Sequence, residues 1–215
     1  MYDKQPYIAV SSDSSDCYAG WNAIGATLRA SVVGERCIVC VECYPGVRIA
    51  EVTEQLNRAF EPQLLILSEG LFLSPADLQD RVSPMLTDDP VFGVMNRFEI
   101  RDFFRHDKLA WAQDEIQNVQ HGIVLVIGTG AVEVVPTHDI LIYADLARWE
   151  IQLRQRRGEI GNLGADNLNE SPAQKYKRAF FLDWRAADRS KQRVDRKSTR
   201  LNSSHQHRSR MPSSA

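Results

Sequence analysis

Four arginines in the last third of the chain could bind a phosphate group. They lie on a helix predicted over residues 146–157 and are Arg148, Arg154, Arg156 and Arg157. A guanidinium group can hold two phosphate oxygens with two parallel hydrogen bonds, so clustered arginines favour an anion site. The same residues could equally form a solvated helix face, on which Glu150 pairs with Arg154 one turn later. The sequence leaves both interpretations open.

A second candidate for phosphate binding is a turn between a predicted strand and a predicted helix. Its residues are Tyr44, Pro45, Gly46 and Val47. A nucleotide-binding loop here would read Gly-x-x-x-x-Gly-Lys-Ser/Thr, because its glycines let backbone N–H groups wrap phosphate and its lysine supplies charge. This turn has one glycine and no lysine. We therefore interpret it as a degenerate phosphate loop, where a helix N-terminus could still attract an anion.

A third candidate is the loop after the apolar run 123–127, made of Gly128, Thr129 and Gly130. It resembles the start of the Gly-x-Gly-x-x-Gly fingerprint of dinucleotide-binding proteins. The third glycine is absent, and we expect no helix to follow. The pattern is therefore more typical of a tight strand exit.

Other residues that could do chemistry have simpler explanations. Cys37, Cys40 and Cys43 have the spacing of metal ligands, but they fall in a predicted buried strand. Strand side chains alternate between faces, so Cys37 and Cys40 should point in opposite directions, and we predict no metal site. Asp88 and Asp89 precede a proline and are more typical of a turn than of a base or a metal ligand.

Apolar runs alternate with helical periodicity along the chain. Strands are predicted at residues 7–10, 37–42, 63–68, 123–127 and 140–143. Helices are predicted at 18–31 and 47–60, from Pro75 to before Asp88, from a cap at Asp107 to about 119, and at 146–157 and 172–192. Apolar strands alternating with helices predict an α/β fold with three layers, in which helices cover both faces of a mostly parallel sheet. Ligands of such sheets bind beyond the carboxyl ends of the strands, where the three candidates lie.

Composition limits the partners. Residues 1–194 have the size of one domain and hold 21 Lys/Arg against 27 Asp/Glu, so we expect no nucleic-acid interface. No apolar run reaches the roughly 20 residues that span a bilayer, and the N-terminus lacks a signal-peptide pattern. We expect a cytoplasmic protein without a membrane partner.

Residues 195–215 are predicted to be a non-native, disordered tail. Residues 195–205 match the translation of DNA that resembles a short-read sequencing adapter, and residues 209–215 match the constant segment that follows a barcode. Such segments are excluded from reasoning about the fold. We therefore expect the natural protein to be longer than the 194 residues before this tail.

Part of the chain resembles the uridine-kinase-like P-loop kinases. The resemblance lies in the strand and loop of residues 123–131, the strand of residues 139–145 and the arginine-rich helix that follows. It implies a P-loop-kinase-like fold in which Arg148, Arg154, Arg156 and Arg157 occupy a lid-like position. Residues 42–47 depart from that family, because the glycines and the lysine of its phosphate loop are missing.

A longer resemblance is to the N-terminal region of bacterial class I mannose-6-phosphate isomerase-type proteins. It rests on residues 41–46, 86–93, 143–154 and 175–185. The resemblance implies an accessory domain whose partner is a missing C-terminal cupin domain, which would carry zinc. It implies no cofactor within this fragment and no isomerase site.

Three functions follow from these observations. The first is an accessory domain that binds a sugar phosphate or a nucleotide. The second is an atypical nucleoside or sugar kinase, and the third is a structural or oligomerising module.

Overall fold

The computed structural model describes residues 18–200, with side chains up to residue 195. Four parallel strands form one sheet in the order β2-β3-β1-β4. The strands are β1 Arg36–Cys43, β2 Leu64–Leu67, β3 Gly122–Gly128 and β4 Ile140–Ala144. The helices are α1 Trp21–Ala30, α2 Ile49–Phe60, α3 Pro75–Leu86, α4 His106–Asn118, α5 Ala131–Val134, α6 Arg148–Arg156, α7 Pro172–Arg178 and α8 Trp184–Arg200. The predicted α/β architecture with a parallel sheet is confirmed.

The two central strands are buried because helices cover both of their faces. β1 and β3 pair in register from Arg36 opposite Gly122 to Glu42 opposite Gly128. Side chains of β1 alternate between two separate cores, so Cys37 packs on one face and Cys40 on the other. The alternation predicted for the two cysteines is confirmed.

Helices α1 and α2 cover one face of the sheet, and the remaining helices cover the other. Val52, Leu56 and Phe60 form the buried stripe of α2 and pack against alternate residues of β1 and β3. The opposite face holds a larger core to which α3, α4, α5 and α6 contribute. Helix α3 begins at Pro75 as predicted, and Ser74 is its N-cap, since the Oγ of Ser74 accepts a hydrogen bond from the N–H of Asp77.

Three predicted details differ from the structure. A four-residue helix, α5, follows Gly130 where we expected none. It forms because Glu42 accepts hydrogen bonds from two N–H groups of this segment. Helix α4 begins after Arg105, so Asp107 lies in its first turn instead of capping it. The helix predicted over 172–192 is α7 and α8 joined by a π-helical segment, Ala179–Asp183.

Other predicted features concern the ends of the chain. The strand at residues 7–10 lies outside the described residues. Helix α8 continues six residues past Val194, the predicted end of the natural domain, and residues 201–215 lie outside the described part. Within residues 18–200, none of the helices combines the length and apolarity required to cross a bilayer.

Candidate functional site

β1 and β3 lie side by side in the sheet, but the connections that follow them lead to opposite edges. From β1 it runs through α2 to the edge strand β2, and from β3 it runs through α5 to the opposite edge strand β4. The loops that follow β1 and β3 therefore diverge at the carboxyl ends of these two strands. Ligands of open α/β sheets bind in the crevice that forms at such a place. A crevice of about 180 Å³ is found at this place.

The first wall of the crevice is the turn predicted as a degenerate phosphate loop. Pro45, Gly46 and Val47 line the crevice, and Val47 N–H donates to the carbonyl of Tyr44 to close the turn. Gly46 has a φ of +102°, and a Cβ there would lie 3.0 Å from Ile151 of α6. A glycine is needed at this position both for its backbone conformation and for the close approach of α6.

The second wall is the loop of Gly128, Thr129 and Gly130, which two carboxylates hold in place. Glu42 accepts hydrogen bonds from the N–H of Gly130 at 2.9 Å and of Val132 at 3.0 Å. Glu69 accepts from Thr129 N–H at 2.9 Å. Only Glu69 and Thr129 of this set line the crevice, so Glu42 supports the loop from beneath it.

Burial raises the pKa of both carboxyl groups. Desolvation raises the pKa of Glu42 to about 8, although the hydrogen bonds from Val132 and Gly130 act in the opposite direction. Desolvation also raises the pKa of Glu69, against the hydrogen bond from Thr129. At neutral pH the carboxyl group of Glu42, beneath the loop, is therefore mostly protonated.

A third buried carboxylate, Asp183, lines the crevice from the π-helical segment. Its Oδ2 accepts from Asn162 Nδ2 at 2.7 Å and from the N–H of Leu163 at 3.3 Å. Its Oδ1 has no hydrogen-bond donor among the described residues, and the Nε of Arg178 lies 3.9 Å from it. Desolvation raises the pKa of Asp183, and the charge of Arg178 opposes that shift. A buried acceptor of this kind can take a hydrogen bond from a ligand.

Sequence reasoning missed Glu42, Glu69, Asp183 and Asn162. Glu42 gave one usable signal, because a charged residue at the end of an apolar strand needs buried partners. Asp183 stands within a run of aromatic residues whose spacing indicated only core packing.

The structure places one of the four predicted arginines at the turn after β1. The side chain of Arg154 is 4% exposed, and its Nη1 donates to the carbonyl of Gly46 at 3.0 Å. Its Nε donates to Glu150 at 2.8 Å. Arg154 therefore joins α6 to the turn. The pairing with Glu150, one of the two interpretations that the sequence left open, is observed, but Arg154 is buried and does not lie on a solvated face.

None of the four arginines lines the crevice, and the other three contact carboxylates or aromatic rings instead. Arg148 pairs with Asp188 and stacks over Trp184, and Arg157 pairs with both Glu150 and Glu159. Arg156 lies over the ring of Trp149, 5.5 Å from its centroid. Phosphate binding by these three arginines stays a prediction, and for Arg148 and Arg157 it would require exchange of an existing carboxylate partner.

The remaining predicted details concern turns and metal ligands. Asp89 accepts hydrogen bonds from the N–H groups of Val91 and Phe92, so the predicted turn is confirmed. Residues 18–200 contain no group of three or more His, Cys, Asp or Glu placed to hold a metal ion.

Comparison with known proteins places the chain in a family and supports its fold. Residues 20–209 match the family described as Domain of unknown function (DUF8485), so the chain belongs to that family. Among curated proteins there is no match. A solved structure from Silicibacter sp. TM1040, provisionally described as a fructose transport system kinase, is similar with a TM-score of 0.51. The two chains are 13% identical over 80% of this chain and 93% of the other. This similarity shows that the chain has a kinase-like fold.

Proposed function

We propose that this member of the DUF8485 family binds a small sugar phosphate in the crevice at the carboxyl ends of β1 and β3. One observation carries the proposal: the lining of the crevice combines two kinds of chemistry. Val47 and Ile49 at the start of α2 line it, and so do the carboxyl-bearing residues Glu69 and Asp183. A ligand with an anionic group and several hydroxyl groups complements both.

The start of α2 suits the phosphate group. A helix N-terminus has free N–H groups and a partial positive charge, and α2 is 12 residues long. Arg48 is the N-cap residue and pairs with Glu51 and Glu159 through a side chain that is 43% exposed. Exposed ion pairs contribute little to stability, so Arg48 can exchange a carboxylate for a phosphate at low cost.

The carboxyl groups that line the crevice suit sugar hydroxyl groups. A hydroxyl group donates one hydrogen bond, and carboxylate oxygens are strong acceptors. Asp183 Oδ1 is a buried acceptor for which the described residues supply no donor. A hydroxyl group bound there would satisfy an acceptor that is otherwise costly to bury.

Size and loop chemistry favour a sugar phosphate over ATP. Pockets for drug-sized ligands usually measure about 300–1,000 Å³, and this crevice measures about 180 Å³. The turn at residues 44–47 also lacks the lysine that stabilises transferred phosphate in P-loop enzymes. A sugar ligand agrees with the fold similarity to the protein described as a fructose transport system kinase. The link to mannose-6-phosphate isomerase-type proteins, with their cupin domain and zinc, remains a separate prediction from sequence.

Isothermal titration of the full 215-residue chain tests the proposal. Mannose 6-phosphate, mannose, inorganic phosphate and ATP are compared. We expect the sugar phosphate to bind with a Kd below about 1 mM and at least tenfold more tightly than either of its parts. Glu69→Gln and Arg48→Gln should each weaken binding several-fold, and Arg58→Gln on the exposed side of α2 should not.

Three results would contradict the proposal. Absence of heat with every sugar phosphate near 1 mM would remove the crevice as their site. Tight ATP binding with release of ADP would favour the atypical kinase. A melting temperature that rises with protein concentration and does not change with any of the four ligands would favour an oligomerising module.

A further inference from the structure

A second and larger cavity is an apolar groove of about 590 Å³ between α6, α7 and the segment after α3. Aromatic rings supply much of its lining, including Phe92, Tyr176 and Phe180. Phe92 is 68% exposed and Tyr176 is 41% exposed. The volume falls within the range of small-molecule pockets, which are mostly apolar with a few polar groups that fix the ligand.

The exposed wall of the groove is held by specific hydrogen bonds. Asp89 accepts from the N–H groups of Val91 and Phe92, both at 2.7 Å. Thr87 Oγ1 donates to the carbonyl of Phe92 at 2.8 Å. Lys177 Nζ from α7 donates to the carbonyls of Thr87 and Asp89. The segment that presents Phe92 is thereby fixed against α7, which is the rigidity expected of a preformed pocket.

The charge in the groove differs from the charge in the rest of this region. Arg148, Arg154 and Arg157 each pair with a carboxylate within 4 Å. Arg156 lines the groove, and no described carboxylate lies within ion-pair distance of its guanidinium group, which is stacked over Trp149. Lys177 donates to two carbonyls, and its charge interacts with the carboxylate of Asp89. The groove therefore combines aromatic walls with the guanidinium charge of Arg156.

We propose that this groove binds a small amphipathic anion with a flat apolar body and one phosphate or carboxylate group. The body would contact the rings of Phe92, Tyr176 and Phe180, because flat apolar surfaces pack well against aromatic side chains. The anionic group would pair with Arg156 in the bidentate geometry that guanidinium groups favour. The site is distinct from the crevice, with which it shares the lining residue Gln155.

The test uses 1-naphthyl phosphate. The control 1-naphthol lacks the charged group, and the control inorganic phosphate lacks the apolar body. Binding to the full chain is followed by naphthalene fluorescence and confirmed by calorimetry. We expect naphthyl phosphate to bind at least tenfold more tightly than naphthol, and inorganic phosphate not to compete at similar concentration. Arg156→Gln should abolish the preference for the phosphate form, and Phe92→Ser should weaken both aromatic probes. Arg58→Gln on α2 is the matched charge control.

Several outcomes would overturn the inference. Equal affinity for naphthyl phosphate and naphthol would remove the role of Arg156. Binding that survives both Arg156→Gln and Phe92→Ser would place the probe elsewhere. A dimer in sedimentation that Phe92→Ser converts to a monomer would show that a second copy of the chain covers the groove. Thermal melts of each variant confirm that a loss of binding is not a loss of folding.

Discussion

The replacement Arg154→Met tests whether Arg154 stabilises the fold or is instead available to bind a ligand. The side chain is 4% exposed and donates to the carbonyl of Gly46 and to Glu150. Methionine fills similar space but leaves the Gly46 carbonyl without its donor. A hydrogen bond between a charged and a neutral group contributes about 1.5–3 kcal/mol, and the stranded acceptor adds a desolvation cost. We expect a total loss of roughly 2–4 kcal/mol.

Thermal unfolding followed by circular dichroism measures this loss. For a chain of this size, 1 kcal/mol lowers Tm by about 2–4 °C, so the expected fall is roughly 4–16 °C. Arg58→Met is the matched control, because Arg58 also pairs with a glutamate four residues earlier, Glu54, but through side chains that are 71% and 63% exposed. Its Tm should change by less than about 2 °C. An unchanged Tm for Arg154→Met would refute the structural role and favour an arginine held ready for an anion.

Three further perturbations test the supports of the crevice. Gly128→Ala should destabilise the fold by about 1–3 kcal/mol, because φ is +133° and the added methyl group would overlap two side chains. Gly70→Ala is the control, since a methyl group there meets no atom within 4 Å. Equal denaturant midpoints for the two variants would contradict the prediction. Burial raises the pKa of Glu42 to about 8, so the folded state binds its proton more tightly than the unfolded chain does. The contribution of Glu42 to the free energy of unfolding therefore falls as pH rises from about 4.5 towards 8. Tm should therefore be several degrees higher at pH 6 than at pH 8.5, with a flatter profile for Glu42→Gln; a Tm that rises over this range would be inconsistent with a buried acid. Arg178→Met leaves Asp183 without its nearby cation and should lower the free energy of unfolding in urea by about 3–5 kcal/mol. Adding Asp183→Asn should recover part of this loss. A urea midpoint equal to that of the wild type would show that the pair is not coupled.

The sheet and most of its helices could be predicted from sequence because burial imposes a pattern on residue types. Residues 37–41 and 123–127 are apolar since β1 and β3 are covered on both faces, and Val52, Leu56 and Phe60 repeat with the helical period. Such patterns depend on neighbours in the chain. They locate elements well and reveal little about contacts between distant elements.

The composition of the crevice depends on those distant contacts. Glu42 and Gly130 are 88 residues apart, and Arg154 and Gly46 are 108 residues apart. Sequence placed the Gly46 turn and the helix of Arg154 at the same edge of the sheet because both follow strand ends, but it could not show that Arg154 binds the carbonyl of Gly46. Asp183 was missed because the π-helical segment, which periodicity does not reveal, brings it into the crevice.

In the proposed complex, a sugar phosphate contacts both the start of α2 and the carboxyl groups of the crevice. Amide NMR spectra of the full chain, recorded during titration with mannose 6-phosphate, test it most directly. We expect saturable shifts for Gly46, Val47, Thr129 and Leu163, with a side-chain amide shift at Asn162, and no shifts around Phe92. Shifts confined to the groove, or none at ligand concentrations near 1 mM, would contradict it.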